Sequence, residues 1–289
     1  MLRCLACGAC EVWCPQGVRY TEFVRGLRPE LPDETRWSCP HGAVFQESAR
    51  WAAEGAVNGR NKTWLEEGLT VAEEGEVGLF VGCLPLFDVV FGSELEVRMV
   101  EIARSAVRLL NHFGIEPVVL ADERCCGHDL LWSGEEGTFE KLAVANTSAF
   151  QERGVRHLLT TCAECYRTWA LDYPRFVDGY RPRIQHISEY LADRVEGDEL
   201  DFRHIGDDGS MTFHDPCRLG RQLGVFDAPR KVLDALSGGE VVEMERWGVD
   251  AQCCGTPGFI QCIRDSRRLQ ENRLESAVAT GASRMITAC

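Results

Sequence analysis

The sequence lacks any long uninterrupted apolar run. Its longest apolar stretch, Val77 to Phe91, is broken by Pro85 and Asp88 and is too short to cross a bilayer. The first ten residues also lack the apolar core of a signal peptide, so nothing in them indicates secretion. We therefore expect a cytoplasmic protein, whose association with the inner membrane would come only through a partner protein.

Basic charge is scarce as well. Lys and Arg total 31 against 45 Asp and Glu, which gives a formal net charge of −14. This balance excludes nucleic acid as a partner, because phosphate binding needs a basic surface. No Gly-x-Gly-x-x-Gly motif follows a predicted strand, so we expect no flavin or NAD site in this chain. Such chemistry would belong to a partner, which makes this chain one subunit of a larger redox assembly.

Cysteine, in contrast, is abundant: the 289 residues include 15. A pattern of Cys, then Cys-Cys-Gly, then Cys-x-x-Cys occurs once in full and begins a second time, which indicates a duplicated unit. Thiols at these spacings in a long chain favour soft-metal ligation over a disulfide framework. The first copy is Cys83, Cys125, Cys126, Cys162 and Cys165, and the second is Cys217, Cys253, Cys254 and Cys289.

Around these cysteines, predicted strands alternate with predicted helices, which is typical of an α/β fold with parallel βαβ units. Each cysteine group follows the end of a predicted strand, and the carboxyl ends of parallel strands meet at one edge of a sheet. We therefore expect the five thiols of the first copy to converge there. The predicted segments are strands at GEVGLFVGC, IEPVVLAD, HLLTTC, MTFHDPC, EVVEME and RMITAC, and helices at 43–56, 94–113, 139–151, around 230–236 and 266–279.

The N-terminus carries the run Cys4-x-x-Cys7-x-x-Cys10-x-x-x-Cys14-Pro15, which is the pattern of bacterial ferredoxins. In paired ferredoxin runs the cysteine before proline ligates the other cluster. Two arrangements stay open. Either one [4Fe-4S] cubane uses the first three cysteines with Cys14 or Cys39, or a second run precedes this sequence and the chain is a fragment. Four thiolates also suit zinc.

Length and composition predict about two domains of roughly 100–150 residues each. The cysteine patterns refine this expectation to a mostly helical ferredoxin-type domain at 1–66 and two cysteine-rich βαβ domains, at 77–200 and 208–289. The second of these is incomplete by its motif, because no Cys-x-x-Cys partner accompanies Cys289.

The chain resembles the B/D-type subunits of the heterodisulfide reductase family, with their cysteine-rich CCG domains. The resemblance depends on the ferredoxin-type run together with GEVGLFVGC, RCCGHD, TTCAECYRTWALDYP, FHDPC, QCCGTPG and ITAC. The same domains occur in the iron–sulfur subunits of glycolate, lactate and glycerol-3-phosphate dehydrogenases. The resemblance implies one noncubane [4Fe-4S] cluster on the first cysteine set and part of a second on the other set. It assigns no ligand role to Cys39 or Cys262.

Several polar residues flank the cysteines. Cations and N–H donors near a cluster raise its potential by stabilising the more negative reduced form. His128 and His214 are the candidate proton donors if thiols are released. The candidate tuning residues are Arg124, Arg167 and Arg218, besides the two histidines.

Three functions follow as hypotheses. The first is an enzyme subunit that receives electrons from a ferredoxin-like or flavoprotein donor. It passes them from the cubane to the noncubane clusters and reduces an organic disulfide. The second is an electron-transport subunit that takes electrons from a flavin-dependent dehydrogenase and delivers them to quinone through a membrane cytochrome or quinone-binding partner. The third is non-enzymatic, with the cysteines holding zinc or forming a scaffold.

Overall fold

The computed structural model describes residues 4–31, 44–55, 62–197, 200, 209–237, 241–256 and 264–289. The predictions for Cys39 and Cys262 lie outside these ranges. The chain forms two compact units: one comprises residues 46–131 and 135–187, and the other comprises residues 1–45, 132–134 and 188–289. We call them the three-stranded unit and the two-stranded unit. The domain boundaries expected from the cysteine patterns stay a prediction.

The three-stranded unit has a parallel sheet of β1 (Val77–Phe80), β2 (His157–Thr160) and β3 (Arg183–His186), in that order. Val118 forms a further parallel bridge to Gly78 in β1. The helices that accompany the sheet are Val44–Ala53, Leu84–Leu95, Val100–His112, His128–Ser133, Glu136–Glu152 and Ala163–Arg167, and the last continues as a π-helical turn at Thr168–Asp172. Short 3₁₀ turns lie at Lys62–Trp64 and Tyr173–Arg175.

An aromatic core supports this sheet. The ring centroids of Phe80 and Trp169 are 5.5 Å apart, those of Phe150 and Trp169 are 5.8 Å apart, and those of Phe139 and Tyr173 are 5.6 Å apart. All five side chains are buried, and edge-to-face packing of this kind adds to the gain from removing aromatic surface from water. The core therefore fixes the ends of β1 and β2, which precede Cys83 and Cys162.

The two-stranded unit has a parallel pair of β4 (Met211–His214) and β5 (Arg284–Thr287), and Val241 forms a bridge to Met211. Its helices are Ala9–Val12, Tyr20–Leu27, Ile187–Glu196, Gly220–Leu223, Asp227–Ser237 and Arg264–Val278, with 3₁₀ turns at Arg28–Glu30 and Gly248–Asp250. No helix in the described ranges has the length and apolar character that a membrane span requires.

The α/β class with parallel sheets and a helical, cysteine-bearing N-terminal region is confirmed, but several elements differ from expectation. The predicted helix 94–113 begins only at Val100, because Glu96 adopts a left-handed φ of 53° and ends the preceding helix Leu84–Leu95, which was not predicted. Within the described residues, the predicted strands IEPVVLAD and EVVEME contribute only isolated bridges, at Val118 and Val241. Strand β3 was not predicted, because its polar sequence RIQH runs directly into the next helix without a turn signal.

Candidate metal centres at the strand ends

The structure brings together the five cysteines of the first set, all within the three-stranded unit. Cys83 Sγ lies 3.9 Å from Cys125 Sγ. Cys126 is in hydrogen-bonding contact with Cys125 and Cys165, and Cys165 is in such contact with Cys162. The expected convergence of the five thiols therefore occurs, at the ends of β1 and β2 and in the Cys-Cys-Gly turn, and it produces one continuous group.

Burial and mutual contact make these thiols unequal as acids. Hydrogen bonds from Cys125 and Cys165 lower the pKa of Cys126 below its ordinary value, although burial and nearby thiolates act against this. The pKa of Cys165 is raised by its hydrogen bonds with Cys126 and Cys162 and by burial. Adjoining buried thiols of this kind are suited to binding a cation, which would compensate the charge of their thiolate forms.

Two glycines beside the cysteines occupy positions where a side chain would not fit. Gly82 has a φ of +67°, and a Cβ at this position would lie 3.1 Å from Cys165 Sγ. Gly127 has a φ of +80°, and a Cβ there would lie 2.8 Å from a ring carbon of Phe139. Glycine adopts such left-handed angles at little cost, whereas other residues do not. The glycine of the Cys-Cys-Gly motif is therefore required by backbone angle and by space.

Three residues that were not predicted hold the loops of this site. The buried carboxylate of Glu123 accepts the backbone N–H of Val81 at 3.0 Å and of Gly82 at 2.7 Å. Asn146 and Tyr173 hold the Cys-Cys-Gly turn itself. Asn146 Nδ2 donates to Cys125 O at 3.1 Å, Asn146 Oδ1 accepts the N–H of Arg124 at 3.0 Å, and Tyr173 Oη donates to Cys126 O at 3.0 Å.

The predicted polar neighbours of this site have defined contacts. His128 is 2% exposed, and its Nδ1 lies 3.2 Å from Asp129 Oδ1 and 3.6 Å from Glu164 Oε2. Arg167 forms a buried ion pair with Asp172. Arg124 Nη1 donates to the carbonyl of Ala53 at 3.1 Å. Each of these three side chains therefore makes a defined structural contact.

A second group of thiols lies in the two-stranded unit. The thiol of Cys253 is in hydrogen-bonding contact with Cys254 and with Cys7. The pKa of Cys254 is lowered to about 3, because Cys253, His214 and Thr256 provide hydrogen bonds that outweigh burial. Burial raises the pKa of Cys217, and the nearby thiols of Cys254 and Cys7 also raise it. Cys289 follows the end of β5 by two residues and is exposed.

The ferredoxin-type run divides into two parts. Cys4 and Cys7 are close enough to Cys10 to raise its pKa, although burial and Glu11 contribute more. The pKa of Cys7 is lowered to about 5, chiefly by its hydrogen bond with Cys253. Cys14 is held separately by the backbone N–H groups of residues 16–18, which lower its pKa. The run therefore meets the second cysteine set through Cys7, a contact that the spacing of the motifs did not predict.

His214 and Arg218 have more specific surroundings than the sequence indicated. Arg273 Nε donates to His214 Nδ1 at 2.8 Å, so the other ring nitrogen carries the hydrogen in the hydrogen bond with Cys254. Arg218 is buried, its guanidinium lies 4.3 Å from the Trp132 ring centroid, and its Nη1 donates to Ala6 O at 2.5 Å. Arg273 was missed because it lies 59 residues after His214 on an otherwise polar helix.

The donor chemistry of these groups fits iron–sulfur clusters. Thiolates suit iron–sulfur clusters as ligands, and backbone N–H groups close to the sulfur atoms are a usual feature of such sites. Gly127 N lies 3.4 Å from Cys125 Sγ, and Cys165 N lies 3.5 Å from Cys162 Sγ. A closed structural zinc site needs four ligands, whereas the first group offers five adjoining thiols.

Comparison with known proteins identifies two segments of the chain as copies of a known cysteine-rich domain. The profile of the CCG cysteine-rich domain matches residues 77–169 and 211–289. The D-type subunit of the dihydromethanophenazine:CoB–CoM heterodisulfide reductase of Methanosarcina mazei is 28% identical over 295 residues, which cover 99% of this chain and 69% of that protein. The B-type subunit of the CoM/CoB fumarate reductase of Methanothermobacter marburgensis is 29% identical, and the EtfAB:quinone oxidoreductase of Syntrophomonas wolfei is 28% identical. Both alignments cover 99% of this chain, but only 54% and 41% of those two proteins.

Proposed function

Because the chain belongs to the CCG cysteine-rich domain family, we propose that it is an iron–sulfur subunit of a multi-subunit oxidoreductase of the heterodisulfide reductase D type. The observation that carries this proposal is the continuous contact among five thiols from three separate segments of the chain. Gly82 leaves space for Cys165 Sγ, and the backbone N–H groups of Gly127 and Cys165 lie close to Cys125 Sγ and Cys162 Sγ.

The ligands divide into three sets under this proposal. Bound iron–sulfur clusters would supply one-electron transfer, and iron accessible to substrate would bind sulfur during disulfide cleavage. The first three cysteines of the ferredoxin-type run would hold a cubane. Its fourth ligand would be Cys14 or a residue outside the described ranges. A noncubane cluster would be held by Cys83, Cys125, Cys126, Cys162 and Cys165, and the remaining ligands, for a second noncubane cluster, are Cys217, Cys253, Cys254 and Cys289.

The contact between Cys7 and Cys253 supports an order for these sites. Electron transfer is faster between centres that lie close together, so the ferredoxin-type run would exchange electrons directly with the second CCG segment. His214 would stabilise or protonate sulfur at Cys254 through the ring nitrogen that faces it, because its other nitrogen accepts from Arg273. His128 would serve the first site, oriented by Asp129 and Glu164.

A second candidate function is an electron relay from a flavoprotein to quinone. It is favoured by the similarity to the EtfAB:quinone oxidoreductase, which at 28% identity equals the identity to the heterodisulfide reductase protein. In this case the same cysteines would carry electrons between partner subunits, and no disulfide would react on this chain.

Two measurements test these functions. Anaerobically purified protein should be brown and contain several irons and acid-labile sulfides per chain, whereas zinc without sulfide would refute both. The reduced protein should then cleave the CoB–CoM heterodisulfide without any flavoprotein. If it does not, yet reduces a soluble quinone when a reduced flavoprotein is supplied, the relay is the correct function.

A further inference from the structure

Arg221 connects two separate segments of the two-stranded unit. It lies in the short helix Gly220–Leu223, four residues after Cys217. Its Nε donates to Cys7 O at 2.8 Å, and its Nη1 donates to Ala251 O and lies 3.4 Å from Val249 O. One guanidinium group thus bonds both the ferredoxin-type run and the segment that leads into Cys253.

The third nitrogen of Arg221 is buried and unused. Among the described residues, Nη2 has no hydrogen-bond acceptor. Leaving buried N–H groups of a cation without an acceptor is costly, so this arrangement indicates an acceptor that binds beside the protein groups. An electronegative sulfur ligand fits, because Arg221 donates to the carbonyl of Cys7 and lies four residues after Cys217.

Neighbouring contacts distinguish Arg221 from the other residues that hold this loop. Gln222 Nε2 donates to Ala6 O at 3.2 Å, and the same carbonyl accepts from Arg218. These two donors share one acceptor, so the loss of one leaves the other in place. Arg221 instead bonds the carbonyl of a cysteine that is itself in contact with Cys253. It is therefore placed to set the separation of the two cysteine sets.

We propose that Arg221 is a positioning residue that fixes the ferredoxin-type run against the second Cys-Cys-Gly turn and donates its remaining N–H groups to sulfur at this junction. The inference rests on the proposed function, since it takes both cysteine sets to hold iron–sulfur clusters. An N–H donor and positive charge at this position would raise the midpoint potential of the adjoining site, because both stabilise its more negative reduced form.

The test compares Arg221→Met with Arg267→Met in the full chain purified anaerobically. Arg267 is exposed on the helix Arg264–Val278 and serves as the matched control. For Arg221→Met we expect a more negative midpoint potential by EPR-monitored titration, weaker magnetic coupling between the two reduced sites, and faster hydrogen exchange at backbone amides of residues 4–12. For Arg267→Met we expect the wild-type values. Equal behaviour of the two variants on all three readouts would overturn the inference.

Arg221→Lys keeps the test decisive if the methionine variant does not fold. Lysine retains the charge but cannot bond both carbonyls, so faster exchange at residues 4–12 is expected with a smaller change in potential. Wild-type exchange and potential in this variant would refute the positioning role. A wild-type protein that binds no iron would instead refute the proposed function, and the exchange comparison would still decide whether Arg221 holds the loop.

Discussion

Replacing Asn146 by alanine should destabilise the three-stranded unit and release iron from its site. Asn146 is 1% exposed and makes four hydrogen bonds around the Cys-Cys-Gly turn: it accepts from Arg124 N at 3.0 Å and donates to Arg124 O at 3.3 Å, Cys125 O at 3.1 Å and Tyr173 Oη at 3.0 Å. A net value of about 1 kcal/mol per bond, with further cost for buried groups left unpaired, predicts a loss of about 3–4 kcal/mol in the free energy of unfolding.

The assay is anaerobic urea unfolding followed by circular dichroism, together with iron analysis of the folded protein. Asn272→Ala is the matched control, because Asn272 is exposed on the helix Arg264–Val278 and its loss should change the free energy of unfolding by less than about 0.5 kcal/mol. The reasoning is refuted if Asn146→Ala costs no more than the control. It is also refuted if the variant is destabilised but retains full iron, since the turn would then not depend on Asn146.

Three further predictions concern the cysteine sites. Cys126→Ser should abolish the EPR signal of the first CCG site and leave the cubane signal intact; loss of both would contradict the division of ligands. Gly82→Ala should destabilise by about 1–2 kcal/mol in urea unfolding, because its φ of +67° is left-handed and its Cβ would lie 3.1 Å from Cys165 Sγ. The control is Gly137→Ala, which lies in a helix with open space around it and should be neutral or stabilising. An equal loss of unfolding free energy in the Gly82 and Gly137 variants would refute the steric reason. In the apoprotein, alkylation of Cys254 mapped by mass spectrometry should have the same rate between about pH 5 and pH 8, because a pKa of about 3 keeps the sulfur ionised throughout; a rate rising tenfold per pH unit would show an ordinary thiol.

Periodicity and motif spacing predicted much of the fold, because they are local properties. The strand before Cys83 and the strand before Cys162 both form, and the helix expected at 139–151 forms as Glu136–Glu152. The resemblance to the heterodisulfide reductase family is confirmed by the CCG match over both segments. The expected ligand roles and domain boundaries stay predictions.

The residues that hold the site were not predictable in the same way. Glu123, Asn146 and Tyr173 belong to no motif, and each acts on backbone groups 20 to 50 residues away. An asparagine within a helix pattern gives no indication of which carbonyls it will meet. Only the packing of the helix Glu136–Glu152 beside the Cys-Cys-Gly turn decides that.

The sequence by itself indicated soft-metal chemistry, from thiols at repeated spacings that follow predicted strands in a strongly acidic chain. Residue type and the alternation of predicted strands and helices are sufficient to predict a group of thiols, because the carboxyl ends of parallel strands lie at one edge of a sheet. Only the tertiary structure decided which sets meet. The contact of Cys7 with Cys253, fixed by Arg221, joins residues nearly the whole chain apart, and such pairings depend on how the elements pack rather than on any local pattern.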